Sequence, residues 1–323
     1  MQRALITGGA GFIGSTLADR LCAEGIEVVI YDNLSRGRRE FIADALAHPG
    51  VQLVVGDVLD GDRLRSALDG CDTVFHFAAN ADVRHGFDQP TIDLEQNTIA
   101  TSVVLEAMRA AGVSRIAFSS TGSVYGEPDV FPTPETCPFP VQTSLYGASK
   151  LAGEGLIQAY AHGYGFTGII FRFVSILGER YTHGHVFDFL RSLRADPSRL
   201  RVLGDGRQEK SYLYVGDCVS AMTLATNREL EPGAVRVYNL GTDETIVVDD
   251  SIATITAQLG VQPELEYTGG IRGWIGDSPL IHLDCTRIRS LGWRPTLTIR
   301  EAIRRTVDWL QQNPAFLEDG GSV

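Results

Sequence analysis

The sequence predicts an α/β fold in which a doubly wound parallel sheet, formed mainly by the first half of the chain, is joined to a smaller, interleaved C-terminal α/β lobe. Short apolar segments alternate with longer helical patterns from residue 4 to residue 173, which is typical of parallel strands joined by crossover helices. A glycine-rich turn directly follows the first apolar segment, and an aspartate ends the second.

The predicted strands of the first half are almost wholly apolar, as expected when helices cover both faces of a sheet. They comprise residues 4–6, 28–31, 53–55, 73–76, 115–118 and 169–173. Apolar residues at helical spacing predict helices at 14–23, 94–111 and 146 to about 161. Beyond residue 173 the pattern loosens, and short elements alternate with loops rich in glycine, proline and charge at 178–185, 204–210 and 268–279.

The composition is that of an ordinary globular protein, and it argues against several classes of function. The 323 residues carry a formal net charge of −12, which disfavours binding to nucleic acid or to an anionic membrane. No apolar run approaches the roughly 18–20 residues of a membrane span. Five dispersed cysteines without a CxxC pair indicate reduced thiols in a cytoplasmic protein, and they argue against a structural zinc site, so no metal is expected.

The turn TGGAGFIG at residues 7–14 lies between the first predicted strand and the first predicted helix. Its glycines leave room for a pyrophosphate against bare backbone, with the helix N–H groups facing the anion, as in Rossmann-type folds. Asp32 ends the second strand, where its carboxylate can accept hydrogen bonds from an adenosine ribose and repel a 2′-phosphate. We therefore expect a dinucleotide site that prefers NAD. A plain strand-to-helix turn is the alternative, and NADP stays open because of Arg36, Arg38 and Arg39.

These features divide the chain into two parts. We expect residues 1–172 to form an NAD-binding Rossmann domain, to whose sheet segments at about 212–240 return. Residues 173–323 are expected to form mainly a substrate-binding lobe.

Tyr146 and Lys150 lie four residues apart in the segment YGASK, so their side chains share one face of the predicted helix. A nearby ammonium favours the phenolate and lowers the pKa of a tyrosine from about 10, which makes Tyr146 a usable general acid or base. The segment FSSTGSVYG at residues 118–126 places hydroxyl groups at the carboxyl edge of the sheet, where ligands bind in such folds. A surface helix pair is the alternative, but the combination with the glycine turn favours a catalytic pair.

In these motifs the chain resembles the extended short-chain dehydrogenase/reductases, and among them the NAD-dependent sugar epimerase/dehydratase family. The matching segments span nearly the whole chain and are TGGAGFIG, Asp57-Val58, HFAA at 76–79, Asn97, SSTGSVYG, YGASK, Gly204-Asp205-Gly206 and YLYV at 212–215. The resemblance implies an NAD-dependent enzyme that acts on a nucleotide-linked sugar.

The resemblance also implies a role for each matching residue. Lys150 would bind the nicotinamide ribose and lower the Tyr146 pKa, and Thr121 would hydrogen-bond the reacting hydroxyl. Besides Tyr146 and Lys150, the residues that would hold NAD are Gly8, Gly11, Phe12, Ile13, Gly14, Asp32, Asn33, Ser35, Arg36, Gly37, Asp57, Val58, Phe77, Ala78, Ala79, Asn97, Ser119 and Phe173. Those on the substrate side would be Arg84, Thr121, Gly122, Ser123, Ser175, His185, Val186, Lys210, Arg272 and Asp277.

The two residues after Thr121 indicate which reaction of the family to expect. The family's 4,6-dehydratases have an Asp–Glu pair there, and its decarboxylases and 3,5-epimerases have a Glu and a Cys at the second position. Gly122 and Ser123 match the UDP-galactose 4-epimerases, which have a small residue followed by Thr or Ser. The resemblance therefore implies a nucleotide-sugar 4-epimerase, an isomerase that works through a 4-keto intermediate, with UDP-glucose and UDP-galactose as the default pair. A dehydrogenase or reductase with net NAD(H) turnover and a non-catalytic NAD-binding member are the alternatives.

Departures from the family pattern leave the sugar and the nucleotide open. Ser175 stands where the family commonly has an Asn, and Ile281 where some epimerases have a Tyr, so N-acetylated or otherwise enlarged sugars are possible. Lys210 stands in place of an Arg that meets the diphosphate, and Arg272 resembles the family's second diphosphate arginine. The histidines of residues 183–185 would belong to a loop that contacts the nucleotide. UDP is favoured, and GDP, CDP and dTDP stay open.

The same resemblance implies a homodimer. In family members of this kind, the helices that correspond to residues 94–111 and 146–161 pair across a two-fold axis as a four-helix bundle. The apolar residues expected to offer surface for this bundle are Ile99, Val103, Leu105, Leu151, Leu156 and Ile157.

Overall fold

The computed structural model describes residues 1–83, 85–139, 141–274, 276–278 and 280–318. In the first part of the chain the strands are β1 Arg3–Thr7, β2 Glu27–Asp32, β3 Val51–Val55, β4 Thr73–His76, β5 Arg115–Thr121 and β6 Thr167–Phe173. The helices are α1 Phe12–Ala23, α2 Ala43–Leu46, α3 Gly61–Ala67, α4 His85–Asp88, α5 Pro90–Asp93, α6 Ala100–Ala111 and α7 Leu145–Tyr164. Short 3₁₀ helices occupy Arg39–Ile42 and Gly122–Tyr125.

The second part of the chain has shorter strands. They are β7 Ser175–Leu177, β8 Arg199–Val202, β9 Glu209–Lys210, β10 Tyr212–Tyr214, β11 Val235–Leu240, β12 Ile246–Val247, β13 Glu264–Tyr267 and β14 Leu280–Ile281. The helices are α8 His185–Ala195, α9 Val215–Thr226, α10 Val248–Leu259, α11 Thr286–Arg289, α12 Ile299–Gln312 and α13 Ala315–Glu318. In the described part of the chain, no helix combines the length and apolar character that crossing a membrane requires.

The main sheet has seven parallel strands in the order β11-β6-β5-β4-β1-β2-β3. The strand order reverses between β1 and β4, and ligands of doubly wound sheets bind at the carboxyl ends of the strands beside such a reversal. The prediction of a doubly wound parallel sheet is therefore confirmed. The edge strand β11 comes from the second part of the chain and pairs in parallel register with Gly168–Phe173.

Three apolar clusters form the core. Two cover the faces of the main sheet, one including Leu17 and Leu21 of α1 and the other including Val104 and Met108 of α6. The third lies in the second lobe, between helices α8, α10 and α12. Phe12, the first residue of α1, packs against both the first and the third cluster.

The helix predicted at 94–111 differs from a regular α-helix in its first part. Residues Leu94–Ile99 form a π-helical segment, and α6 follows it. Such segments occur frequently at functional sites. Two residues expected on the dimer face, Leu105 and Ile157, are fully buried in the core of the single chain, so that expectation is wrong for them. Ile99 is 44% exposed, because it belongs to the π-helical segment rather than to the buried stripe of α6.

Candidate active site

The glycine turn connects β1 to α1 with a backbone that only glycine accommodates. Gly8 has φ of +66°, and a Cβ there would lie 2.7 Å from the backbone nitrogen of Ala78. A Cβ on Gly14 would lie 2.3 Å from the carbonyl oxygen of Gly8. Gly11 is the N-cap of α1 and offers no side chain to cap its first N–H groups. The turn thus presents bare backbone and unsatisfied donors, which fit a pyrophosphate.

Asp32 is held in place at the end of β2. Its Oδ2 accepts a hydrogen bond from the backbone N–H of Ala10 at 2.9 Å, and its Oδ1 accepts one from Leu34 at 2.8 Å. Burial raises the pKa of this carboxyl, and the two backbone donors oppose that effect. A Cβ on Gly37 would lie 2.6 Å from Oδ1, so a side chain there would press on the carboxylate. The arrangement supports Asp32 as the ribose-binding residue.

Other residues expected to hold the dinucleotide follow Asp32 and strand β3 along the chain. Asn33 donates to the Asp57 carboxylate at 3.0 Å and accepts from Ser35. The side chain of Val58 is buried, so it offers only its backbone to a ligand. Arg36 is exposed, in keeping with a residue that flanks the adenine.

A buried histidine beside the glycine turn was given no role by the sequence analysis. His76 ends β4, is 1% exposed, and has Nδ1 2.7 Å from the Thr7 hydroxyl and Nε2 3.1 Å from the Thr101 hydroxyl. Burial and the cation of Lys150 lower the pKa of His76 to about 3, so it is neutral. It therefore joins β1, β4 and α6 by hydrogen bonds without adding charge. The sequence indicated a role for His76 only through its position in the segment HFAA, which matches the family pattern.

Helix α7 positions the catalytic pair. The Ser144 hydroxyl accepts a hydrogen bond from the backbone N–H of Gly147 at 3.0 Å, which caps the helix at the turn that carries Tyr146. The Thr121 side chain interacts with the Tyr146 hydroxyl and lowers its pKa. Lys150 is 2% exposed, with Nζ 4.9 Å from the centre of the Phe118 ring. The structure thus brings the three residues expected to be catalytic into one site.

The electrostatics of the pair differ from the expectation. Burial raises the pKa of Tyr146 above its usual value, and the Asp93 carboxylate raises it further, whereas Thr121 lowers it. Burial lowers the pKa of Lys150 to about 7, and Asp93 opposes that effect. The expected lowering of the Tyr146 pKa is therefore not produced by these side chains, because loss of solvation outweighs the stabilisation of a phenolate.

Asp93 belongs to a buried hydrogen-bond network. The sequence analysis identified only one of its members, Asn97. The Asn97 amide donates to Asp93 at 3.1 Å and to the Ser149 hydroxyl at 2.9 Å. The Asn80 amide donates to Asp93 at 2.8 Å, and the backbone N–H of Asn80 donates to the side-chain oxygen of Asn97 at 2.8 Å. The π-helical segment places Asn97 in this network, which supplies the carboxylate that balances the buried cation of Lys150.

Neither of the two residues after Thr121, Gly122 and Ser123, carries an acidic group. The Thr121 hydroxyl donates to Ser123 Oγ at 3.2 Å and accepts from the backbone N–H of Ser123 at 3.1 Å. A Cβ on Gly122 would meet the Phe173 carbonyl oxygen at 3.3 Å and side-chain carbons of Leu283 and Ile281 at 3.5 and 3.6 Å. The space beyond Gly122 is therefore walled mainly by apolar groups.

The residues expected to bind a diphosphate are already paired with carboxylates. Lys210 Nζ lies 2.5 Å from Asp277 Oδ1 and 4.7 Å from the centre of the Trp274 ring. Arg272 donates to the backbone carbonyl of Asp277 and forms an ion pair with Glu127. The structure thus brings Lys210, Arg272 and Asp277 together, but as a neutralised cluster rather than as free cations.

The remaining substrate-side residues are placed as follows. His185 begins α8, and its Nε2 lies 2.8 Å from the Ser251 hydroxyl. Its ring packs against the Tyr212 ring. Burial and the nearby cation of Lys210 lower the pKa of His185 to about 3. The side chain of Val186 is fully buried in the third cluster, so only its backbone can meet a ligand. Ser175 is exposed, and Arg84 lies outside the described residues. In the described ranges no group of three or more metal-ligating side chains occurs.

The parallel sheet, the glycine turn, Asp32 and the Tyr146–Lys150 pair define the class of protein: an extended short-chain dehydrogenase/reductase. The model of the NAD dependent epimerase/dehydratase family matches residues 4–241, and the chain belongs to that family. The family assignment made from the sequence and the dependence on NAD are thereby confirmed. The roles of the individual residues stay predictions.

Similar proteins cover nearly the whole length of the chain. The UDP-glucose 4-epimerase of Mycolicibacterium smegmatis is 34% identical over 317 residues, which are 96% of this chain and 99% of the relative. A solved UDP-galactose 4-epimerase has a TM-score of 0.86 and 39% identity, over 97% of this chain and 99% of that one. The UDP-glucose 4-epimerase of Thermotoga maritima, solved with UDP-glucose, has a TM-score of 0.87 and 30% identity, over 97% and 100%.

Proposed function

We propose that this protein is an NAD-dependent nucleotide-sugar 4-epimerase that inverts C4 of a UDP-linked hexose, with UDP-glucose and UDP-galactose as the default pair. The observation that carries the proposal is the segment Thr121–Ser123, which offers hydroxyls and an apolar wall but no carboxylate. Elimination of water would need a further acid and base at this place, and inversion of a secondary alcohol does not. The relatives named UDP-glucose 4-epimerase support the same reaction.

In the proposed reaction, Tyr146 takes the proton of the C4 hydroxyl and later returns it. Thr121 is proposed to orient this hydroxyl, since its side chain interacts with that of Tyr146 and lowers the Tyr146 pKa. NAD held at the glycine turn and Asp32 would supply the acceptor and donor of the C4 hydride. Lys150 balances charge beside Tyr146, and the Asp93 carboxylate partly offsets the lowering of the Lys150 pKa by burial.

The keto sugar has to turn between the two hydride transfers while its diphosphate stays bound. Lys210 and Arg272 are the cations proposed for this anchor. Because they are paired with Asp277 and Glu127, a bound diphosphate would compete with both carboxylates for them. The anchor is thus weaker than two free cations would be, which suits a ligand that is released after each turnover.

We further infer a homodimer built on the π-helical segment and α7. Leu94, Ile99 and Leu145 are 52%, 44% and 37% exposed and form apolar surface at the start of these helices. Pairing across a two-fold axis would bury this surface. The five free cysteines agree with the expected cytoplasmic location, which stays a prediction.

The reaction is tested by incubating the purified protein with UDP-, GDP-, CDP- and dTDP-linked sugars without added NADH and analysing the products by NMR. We expect a mixture of C4 epimers with unchanged mass. A product lighter by water or carbon dioxide would contradict the proposal, and so would turnover that needs added NADH or NAD.

A further inference from the structure

Residues 178–184 connect β7 to α8 and cross to the helix that follows the glycine turn. Arg180 in this segment has φ of +69°, a left-handed conformation that only one other non-glycine residue, Leu34, adopts within the described ranges. Its Nη2 lies 2.7 Å from Oδ2 of Asp19 on α1, and the two side chains are 17% and 32% exposed. Since a left-handed backbone is unfavourable for arginine, the surrounding structure has to hold Arg180 in this conformation.

Tyr181 makes a second contact with the same helix. Its ring is 5% exposed and lies edge-on against the ring of Phe12, with 5.7 Å between the ring centres. Its hydroxyl fits against Gly184, where a Cβ would lie only 2.1 Å from the hydroxyl oxygen and φ is +103°. Phe12 directly follows the N-cap Gly11, so Tyr181 packs beside the helix turn whose N–H groups fit a pyrophosphate.

We propose that Asp19, Arg180, Phe12 and Tyr181 form a clamp between the lobes that slows the departure of the dinucleotide. The clamp contacts α1 at its first residue and again two turns later, and both contacts come from the segment that leads into the substrate lobe. The need for it rests on the proposed function. An epimerase has to keep its reduced dinucleotide until the hydride is returned, because loss of NADH between the two transfers would leave a keto sugar and an idle enzyme.

The ion pair of the clamp is built to open. Its closest contact joins Arg180 Nη2 to Asp19 Oδ2, and it is not a bidentate hydrogen-bonded pair, because Asp19 Oδ1 accepts no hydrogen bond from the part of the chain that the structure describes. Among the described residues, neither Asp19 Oδ1 nor Arg180 Nη1 has a hydrogen-bond partner, although both atoms are buried. Unsatisfied buried atoms and a left-handed backbone both favour the open state. The clamp therefore slows exchange of the dinucleotide without making it irreversible.

The test compares Asp19→Asn and Arg180→Gly with a matched control on the same helix. Glycine adopts a positive φ without strain, so Arg180→Gly removes the ion pair while relieving the backbone. The control is Glu24→Gln, which breaks the pair between Arg20 of α1 and Glu24, the residue that follows the last turn of this helix. Each variant is loaded with NADH and mixed with excess NAD in the absence of sugar, and the loss of NADH fluorescence gives the release rate. Thermal unfolding of the loaded proteins is measured alongside.

We expect NADH release to be about tenfold faster in both clamp variants, which corresponds to a barrier to release that is about 1.4 kcal/mol lower, and unchanged in the control. The melting temperature of Arg180→Gly should be no lower than that of the wild type, which separates the clamp from a general loss of folding. Release at the wild-type rate in Asp19→Asn and Arg180→Gly would overturn the proposal. Since no sugar is present, the result does not depend on whether the protein is an epimerase.

Discussion

Replacing Glu154 by Gln should destabilise the protein through the ion pair that joins α7 to the sheet. Glu154 is fully buried and accepts hydrogen bonds from Arg172 Nε at 3.0 Å, from Arg172 Nη2 at 2.7 Å and from the Ser120 hydroxyl at 2.5 Å. Removing one partner of a buried pair costs about 3–5 kcal/mol, because the other charge is left uncompensated. Since Gln keeps one acceptor oxygen and the shape, we expect about 3 kcal/mol for Glu154→Gln and about 5 kcal/mol for Glu154→Ala.

The same change should also reach the catalytic residues. Glu154 lies two turns after Tyr146 on the same face of α7, and its partner Ser120 directly precedes Thr121. Loosening this contact shifts Thr121 relative to Tyr146, so kcat should fall by about tenfold or more. A variant with lowered stability but unchanged kcat would show that the pair only stabilises the fold.

Urea unfolding at saturating NAD, followed by circular dichroism, measures the free energy of unfolding. The control is Glu266→Gln, which breaks an exposed pair with Arg199 and should leave that free energy unchanged. If Glu154→Gln unfolded within about 1 kcal/mol of the wild type, the assignment of a large energetic role to this pair would be wrong.

Further expectations concern the site and its titrating groups. Tyr146→Phe should lower kcat by about 10²–10⁴-fold while NAD stays bound, since only the proton carrier is removed; near-normal turnover would refute the mechanism. Asp93→Asn should move the rising limb of the kcat–pH profile to lower pH, because the Asp93 carboxylate raises the pKa of the catalytic tyrosine; an unmoved profile would contradict this. Gly14→Ala should weaken NAD binding by at least about tenfold, measured by titration calorimetry, since its Cβ would lie 2.3 Å from a carbonyl oxygen of the turn; wild-type affinity would exclude the proposed site. Both His76 and His185 have pKa values lowered to about 3, so the unfolded chain binds more protons than the folded one between pH 6.5 and 3. The free energy of unfolding should therefore fall as pH decreases through that window. Urea titrations at several pH values measure this dependence, and a free energy of unfolding that does not change between pH 6.5 and 3 would contradict the prediction.

Features that depend on neighbouring residues could be predicted from the sequence. The strands, the glycine turn and the face shared by Tyr146 and Lys150 follow from local patterns of two to eight residues. The network of Asp93 with Asn80 could not be predicted, because it joins residues 13 positions apart through a π-helical segment that no propensity indicates. The rise in the Tyr146 pKa was also missed, because spacing identifies a neighbouring cation but not the extent of burial.

The sequence also does not predict which apolar residues of a helix are buried and which are exposed. Leu105 and Ile99 are equally apolar in sequence, yet the first is buried against the sheet and the second is 44% exposed. A helix with apolar residues on more than one face does not reveal which face meets the sheet and which could meet another subunit. Only the packing of α6 in three dimensions separates the two.

The strand β11 makes the two lobes inseparable along the chain. Val235–Leu240 completes the main sheet by pairing with β6, although more than sixty residues of chain lie between the two strands. A fragment ending near residue 173 would leave the edge of β6 unpaired and ready to associate with other chains. Exchanging the substrate lobe for that of a relative would therefore require three crossover points, one after β6 and one on each side of β11. Limited proteolysis between the lobes should yield fragments that remain associated rather than an independent nucleotide-binding unit.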